Sequence, residues 1–378
     1  MSANNHEALM SRALEAARRG WGDTHPNPMV GALIVEDGRV VADGFHARAG
    51  EPHAEVMALR NLGRKPKLGA TLYVTLEPCS TTGRTPPCTE AIVQSGLKHI
   101  VVGTLDPNPL HAGRGLDILR SAGIEVEQGP IEKSCADLNL IFNHWIVTKK
   151  PLIAGKIATT LDGRTATRMG ESKWITGESA RNDVMRWRRL FPAIAVGATT
   201  VMIDNPRLTS RSGATESCPV RLIFDRKLRT VDDPLPLVYT DECRSQTIVV
   251  TGPAPDEVKR TILEKQGVRC WMLPLLPDEK WYNALSEMCI SIGLTGLFIE
   301  GGSIFLGAFL ANRRLDYLFA YRGAKFLADD KSRSMFGSGP PRPHLVDAYS
   351  LANVRCDTLG DDQLMRGHIV YPATEKTS

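Results

Sequence analysis

The sequence predicts two α/β domains in tandem, on three observations. At 378 residues the chain is longer than one ordinary domain of roughly 100–200 residues. Short apolar runs alternate with helix-like stretches along its length, as expected of strands and the helices that cover them. The pattern breaks once, at Lys149-Lys150-Pro151, where helical text stops and a second strand–helix series begins. Domains are therefore expected at 1–148 and 149–378. No internal repeat relates the two halves.

Residues 6–19 read as a helix. "MVGALIVEDGRVVADG" reads as a hairpin, two apolar runs joined at Asp37-Gly38, a strong turn pair. A helix begins near His53, "ATLYVTL" is a strand and "TEAIVQSG" a helix. "HIVVGTL", "GLDILRSAG" and "IEVEQG" read as strand, helix and strand, and one last helix runs through "EKSCADLNLIFNHWIVT". In the second half, a strand follows Pro151, and "AIAVG", "VRLIF", "TIVVT", "TGLFIE" and "LDYLFAY" are strands with helices between them. "SGATESCP" and "TVDDPLP" are expected loops, and the polar tail after Pro372 is expected to be loose.

Composition narrows the function. With 42% hydrophobic and 23% charged residues the chain is globular, and its net charge of +4 slightly favours an anionic small molecule. No Lys/Arg block is interleaved with aromatics, so no nucleic-acid partner is expected; "RWRRL" is the densest basic run and fits a helix face. No apolar run reaches the roughly 18 residues of a membrane span, and the polar, helical N-terminus does not read as a signal peptide. Eight scattered cysteines without framework spacing suit a reducing cytoplasm, where paired cysteines are more often metal ligands than disulfides.

The chemistry concentrates in two stretches, "HAEVMALRNL" and "LEPCSTTGRTPPCTEAI". Alone, an H-x-E is common, and two cysteines with a loop between them are usually structural. Together they place His53 and Glu55 at a helix start, Cys79 after a strand and Cys88 at the next helix start. A hydrolytic zinc site needs three protein ligands and an open position, which His53, Cys79 and Cys88 supply. Glu55 is left over as a proton carrier between a zinc-activated water and a departing amine. This is the logic of zinc deaminases, with a longer gap between the cysteines. A closed structural zinc site in a partner-binding scaffold is the rival reading; it has no use for a spare carboxylate.

On "HPNPMVGALIV", "GFHARAGEPHAE", "YVTLEPCSTTGRTPPC" and "DPNP", the first half resembles the deaminase domain of the bifunctional riboflavin-biosynthesis deaminase/reductase family. "GKIATTLDGRTA", "SKWITG", "VGATTVMIDNPRLTSR" and "FIEGGS" resemble its reductase domain. The resemblance spans about residues 6–325 and implies a cytidine-deaminase-like three-layer domain followed by a dihydrofolate-reductase-like α/β domain. It implies Zn2+ and NADPH as cofactors and two consecutive reactions on a pyrimidine ribotide. A nucleoside or tRNA deaminase fused to an unrelated reductase is the enzyme rival.

By the same resemblance, Asn27, His46 and Arg84 meet the deaminase substrate. Ala158, Trp174, Thr200, Asp204, Gly301 and Gly302 contact NADPH, with Arg226 near its 2′-phosphate. Lys156, Ser172, Arg188, Leu208, Arg211 and Glu300 meet the reductase substrate. No G-x-G-x-x-G follows the second half's first strand. Instead Gly301-Gly302 precede a helix whose backbone N–H groups can meet a phosphate. Trp174 is equally readable as a core residue. The chain departs from the family at Thr81-Thr82, where many members have His-His, and at Asp316-Tyr317 and "GAK". A homo-oligomer is expected.

Overall fold

The structure is a computed structural model and describes residues 3–83, 86–109, 111–212, 216–274, 278–337 and 342–373. Its contacts divide the chain into two compact units, Met1–Lys150 and Pro151–Ser378.

Unit 1 contains strands β1 (Gly31–Glu36), β2 (Arg39–Phe45), β3 (Thr71–Val74), β4 (His99–Val102) and β5 (Glu125–Gln128) in the order β2-β1-β3-β4-β5. β1 is antiparallel to β2 and β3, and β3, β4 and β5 run parallel. The expected hairpin is β1–β2, and Asp37 and Gly38 both take positive φ at its turn. Alternation along the central strands builds two faces. Ala32, Ile34, Leu72, Val74, Ile100 and Val102 pack with residues of α2 (Ala54–Leu62), α3 (Cys88–Ser95) and α4 (Arg114–Ser121). α1 (Ala3–Arg18) lies on the strands and touches α5 (Glu132–Leu138), which is followed by α6 (Leu140–Thr148). A Cβ added to Gly44 of β2 would lie 2.3 Å from Ala58 N, so only glycine lets α2 sit this close to the sheet.

The last helix of this unit, expected as one, is two. Asn139 interrupts it with φ −109° and ψ 37° because its side chain pairs with a distant backbone. Its Oδ1 accepts from Met29 N at 2.7 Å and its Nδ2 donates to Met29 O at 2.9 Å.

Unit 2 contains β6 (Leu152–Thr159), β7 (Arg164–Ala166), β8 (Ala193–Gly197), β9 (Val220–Phe224), β10 (Thr247–Thr251), β11 (Arg269–Met272), β12 (Gly296–Ile299), β13 (Tyr317–Arg322), β14 (Arg333–Ser334), β15 (Ser350–Leu359) and β16 (Asp362–Val370). Nine of them form a sheet in the order β11-β10-β9-β8-β12-β6-β13-β16-β15, while β7 and β14 pair separately. The seven strands from β11 to β13 are parallel, and β16 and β15 close the edge antiparallel. One face packs α11 (Asp278–Ser291) and α12 (Ser303–Ala311). The other packs α8 (Ala198–Asp204), α9 (Leu237–Thr240) and α10 (Glu257–Lys265). On α7 (Glu178–Leu190), Trp187 meets Phe319, and Phe191 just beyond the helix stacks on Phe298.

All five strands expected after the one at Pro151 are present. The β15–β16 hairpin, β11 and the short β7–β14 pair were not read from the sequence. β15 alternates poorly because it is a largely exposed edge strand with no second buried face. Residues 374–378 of the expected loose tail lie outside the described residues.

Arg221, on β9, is fully buried. It meets Asp241 with two hydrogen bonds of 2.7 and 2.8 Å and also bonds Thr247 Oγ1, Val238 O and Arg207 O. Arg221→Ala leaves the Asp241 carboxylate buried without its cation and is expected to destabilise unit 2 by roughly 3–5 kcal/mol. Urea unfolding of the intact chain measures this. The double variant Arg221→Met/Asp241→Leu should recover most of the loss.

Candidate active sites

In unit 1, two helix starts and one strand end converge. His53 is the N-cap of α2 but makes no capping bond, which leaves its ring free. Cys88 opens α3 after Pro87. Cys79 follows the β3 end, and its Sγ accepts from Cys88 N at 3.3 Å. His53 Nδ1 lies 3.2 Å from Cys88 Sγ and 3.5 Å from Cys79 Sγ. The three ligand atoms all lie within 4.8 Å of one another. Ligands of a tetrahedral zinc at ordinary bond lengths stand about 3.6 Å apart, so the set fits that ion. The positive ends of α2 and α3 favour thiolate there. Cys88 donates to Cys79, which holds Cys79 below and Cys88 above the usual thiol range.

Glu55, in the first turn of α2, is 3% exposed and reaches Cys88. Burial, then the charge on Cys79, pushes its carboxyl up to about 7. Asn27 and His46 join the same site. The His46 ring lies edge-on to that of His53 at 5.2 Å. His46 Nδ1 donates to Pro52 O at 3.2 Å, so its Nε2 accepts from Asn27 Nδ2 at 3.1 Å. That chain fixes the Asn27 amide. Arg84 lies outside the described residues. A cavity of about 220 Å³ adjoins Cys79 and is lined by Ser80, Thr81, Asp106, Asn108 and His111 among others. Thr81 is therefore on its wall.

Sequence reasoning missed Glu77. Its buried carboxylate accepts from the backbone N–H of Asp106 (3.1 Å), Gly113 (2.9 Å) and Gly115 (2.9 Å). It thereby pins the loop that forms the far wall of the cavity. The signal was present in "LEPC", but the partners lie 29, 36 and 38 residues away.

In unit 2, the carboxyl ends of the parallel strands share one edge. Strand order reverses around β12, between β8 and β6, and such a switch point is where open α/β sheets bind ligands. Several of the named residues sit there. Ala158 lies near the end of β6, and Thr200 and Asp204 are on α8 just after β8. Glu300, Gly301 and Gly302 follow β12. Arg226 is exposed two residues past β9. Glu300 points to the same face as Phe298 and stands level with Lys156, because Ile299 pairs with Gly155.

Arg188, expected at the reductase substrate, is engaged by protein. Its Nε and Nη2 donate to the Glu300 carboxylate at 2.5 and 2.9 Å, and its Nη1 donates to Thr209 O at 3.1 Å. Burial opposes the charge on Glu300, yet Arg188 and then Lys156 hold its carboxyl below the usual range. Burial lowers Lys156.

Trp174 is 63% exposed, so the alternative of a core residue is set aside. Arg181 lies over its ring at 4.7 Å. Lys325, in the divergent "GAK", donates to Trp174 O at 2.7 Å, and Asp316 accepts from Ile153 N at 2.8 Å. Lys173 pairs with Asp204 at 3.4 Å, joining the segment of exposed Ser172 to α8. Leu208 is buried with φ +54°, and Arg211 is exposed.

Gly301 and Gly302 differ. A Cβ on Gly301 would meet the Phe305 ring at 2.4 Å, whereas one on Gly302, the N-cap of α12, would meet nothing within 4 Å. The Cβ direction of Gly301 is filled by the Phe305 ring, and that of Gly302 faces open space.

A family model described as the cytidine and deoxycytidylate deaminase zinc-binding region matches residues 3–104, and one described as the RibD C-terminal domain matches residues 151–362. The riboflavin biosynthesis protein RibD of Aquifex aeolicus is 40% identical over 353 residues, covering 93% of this chain and 95% of that protein. The protein of that name from Escherichia coli is 40% identical over 333 residues, covering 86% and 89%. Among solved structures, Acinetobacter baumannii RibD aligns with a TM-score of 0.77 and 37% identity, covering 98% of this chain and 100% of that one. A Thermotoga maritima diaminohydroxyphosphoribosylaminopyrimidine deaminase/5-amino-6-(5-phosphoribosylamino)uracil reductase aligns at 0.77 and 34%, covering 97% and 99%. With a zinc-binding deaminase domain ahead of a reductase domain, the chain belongs to the RibD family of bifunctional riboflavin-biosynthesis deaminase/reductases.

Proposed function

We propose that residues 1–148 hydrolyse the 2-amino group of 2,5-diamino-6-(5-phosphoribosylamino)pyrimidin-4-one, and that residues 149–378 then reduce the ribosyl group with NADPH to give 5-amino-6-(5-phosphoribitylamino)uracil. The observation that carries the reading is the His53–Cys79–Cys88 cluster with Glu55 buried beside it and outside the ligand set. His53, Cys79 and Cys88 would hold Zn2+, which when bound would supply a Lewis acid that acidifies water. Glu55 would carry a proton from the attacking water to the departing amino group, which leaves as ammonia. Asn27, oriented by His46, accepts from the pyrimidine ring, and Arg84 contributes to the ribotide arm.

In the second domain NADPH supplies the reducing electrons. Gly301 and Gly302 at the N-terminus of α12 would hold its diphosphate, Ala158, Trp174, Thr200 and Asp204 would line the cofactor and Arg226 would meet its 2′-phosphate. Lys156 and Glu300 face the ribose of the substrate, Arg188 orients Glu300, and Ser172, Leu208 and Arg211 complete the pocket. The free edge of β15 supports a homo-oligomer. Six free cysteines among the described residues are in keeping with a cytoplasmic enzyme.

Supplying the diaminopyrimidine ribotide and following ammonia and NADPH absorbance separately tests both halves. Cys88→Ser should lose zinc and ammonia release together. Glu55→Gln should keep zinc and lose deamination by roughly 10²–10⁴-fold, the worth of a positioned acid–base, while reducing the deaminated intermediate normally. Near-normal ammonia release from it would contradict the role of Glu55. Glu77→Gln turns one acceptor toward backbone donors as a donor. It should raise KM for the ribotide and destabilise unit 1 by about 1–3 kcal/mol, read by urea unfolding. Gly302→Val should raise KM for NADPH without lowering the melting temperature, because its side chain enters open space; an unchanged KM would remove the diphosphate from this helix end.

A further inference from the structure

We infer that Cys218 and Cys243 form a reversible disulfide that holds the Leu208–Arg211 stretch in place, and so tunes substrate binding by the reductase half and not by the deaminase half. The two residues are joined in the structure, with Cα atoms 6.0 Å apart, inside the roughly 4.4–6.8 Å that a cystine spans. Their settings differ in a way that suits exchange. Cys218 is exposed, while Cys243 is 3% exposed. An external thiol or disulfide can therefore reach one sulfur and not the other.

The bond joins two elements of unequal firmness. Cys243 N donates to Asp241, the carboxylate that holds the buried Arg221. Cys218 follows Ser217, which pairs with Ser210 through backbone bonds of 3.0 and 2.9 Å in both directions. Just before Ser210 lie Leu208 and Thr209, and Thr209 O receives Arg188, the partner of Glu300. The side-chain ion pairs tying this stretch to its neighbours, Arg207 with Glu242 and with Glu216, are exposed and contribute little. Arg221 holds Arg207 O, Arg188 holds Thr209 O and Ser210 Oγ donates to Met185 O at 2.6 Å, so the start of the stretch is fixed by hydrogen bonds, and the cystine is the covalent link that ties its Ser217 side to the wall behind it.

Closure needs a low-molecular-weight disulfide as oxidant. The Cys218 thiolate attacks one of its sulfurs, forming a mixed disulfide and releasing one thiol. Cys243 loses its proton and attacks Cys218 Sγ, releasing the second thiol. Two protein thiols are oxidised to one cystine, and one small disulfide is reduced to two thiols. In a reducing compartment such a bond is transient and sensing. With the bond closed, less order must be gained when substrate binds, so affinity rises.

The coupling rests on the proposed placement of Leu208 and Arg211 at the reductase substrate. The test uses the intact zinc-loaded chain, equilibrated with oxidised or reduced glutathione, alkylated and mapped by peptide mass spectrometry. Ammonia release and reduction of the deaminated intermediate are followed in parallel. The expected result is a Cys218–Cys243 cystine in the oxidised sample and a reductase KM for the intermediate about fivefold lower than in the reduced one. Cys218→Ser should show the higher KM in both buffers, and ammonia release and zinc content should not change. Alkylation of both cysteines after oxidation, or glutathione retained on Cys218 alone, would overturn the disulfide. A mapped cystine with the same reductase KM in both states would overturn the coupling. No NADPH oxidation in either state, with the cystine mapped, would overturn the coupling by faulting the reductase reading itself.

Discussion

Burying a charge costs several kcal/mol unless a counter-charge or several hydrogen-bond donors meet it, and both units are organised around that constraint. In unit 2, Arg221 is sealed under Asp241, Thr247 and two carbonyls, which fixes α9 and the loop before β9. In unit 1, Glu77 faces three backbone N–H groups and thereby shapes a loop whose described residues, 104–109 and 111–113, form no strand or helix. Glu36, at the end of β1, is met by Arg64 and the backbone of Lys67, which holds its carboxyl near 2. These pairings decide where the loops lie, and the loops carry the sites.

The two candidate sites differ from these structural pairings. Around Glu55 the neighbours are thiols rather than a guanidinium, and its carboxyl is driven up instead of down. The Lys156–Glu300–Arg188 group sets two basic side chains against one buried carboxylate: Arg188 and Lys156 lower Glu300, while burial lowers Lys156 itself. The Arg188 fork is taken up by Glu300, so Lys156 is the basic group of the three that makes no ion pair among the described residues.

How much was legible from sequence follows from the distance between partners. His53, Glu55, Cys79 and Cys88 could be read because each sits at an element boundary marked by its own neighbours, such as Pro86-Pro87 before α3. The β1–β2 hairpin was legible for the same reason, from Asp37-Gly38. Asn139 was not, because the partner that pulls it out of a helix is Met29, far away in sequence. The Cys218–Cys243 pair was hidden by loops that carry no pairing signal, and the scattered cysteine spacing argued against any disulfide. The β15–β16 hairpin escaped because an exposed edge lacks the apolar alternation that marks a half-buried strand.

Gly301 shows that one motif can carry two physical reasons. Two glycines before a helix suggest close approach of a phosphate, and the sequence alone does not show that the first of them also makes room for a ring. In the structure, Phe305 in the first turn of α12 lies beneath the strand ends. Its ring is within contact of the Cβ directions of both Gly197, after β8, and Gly301, after β12, and it packs on Phe224 of β9 at 5.0 Å. Gly301 is bare so that this ring can anchor the helix start to three adjacent strands. Gly302 is then held, uncovered, at the point where those strands diverge. One glycine serves the core and the next serves the surface, and the first is what puts the second in position.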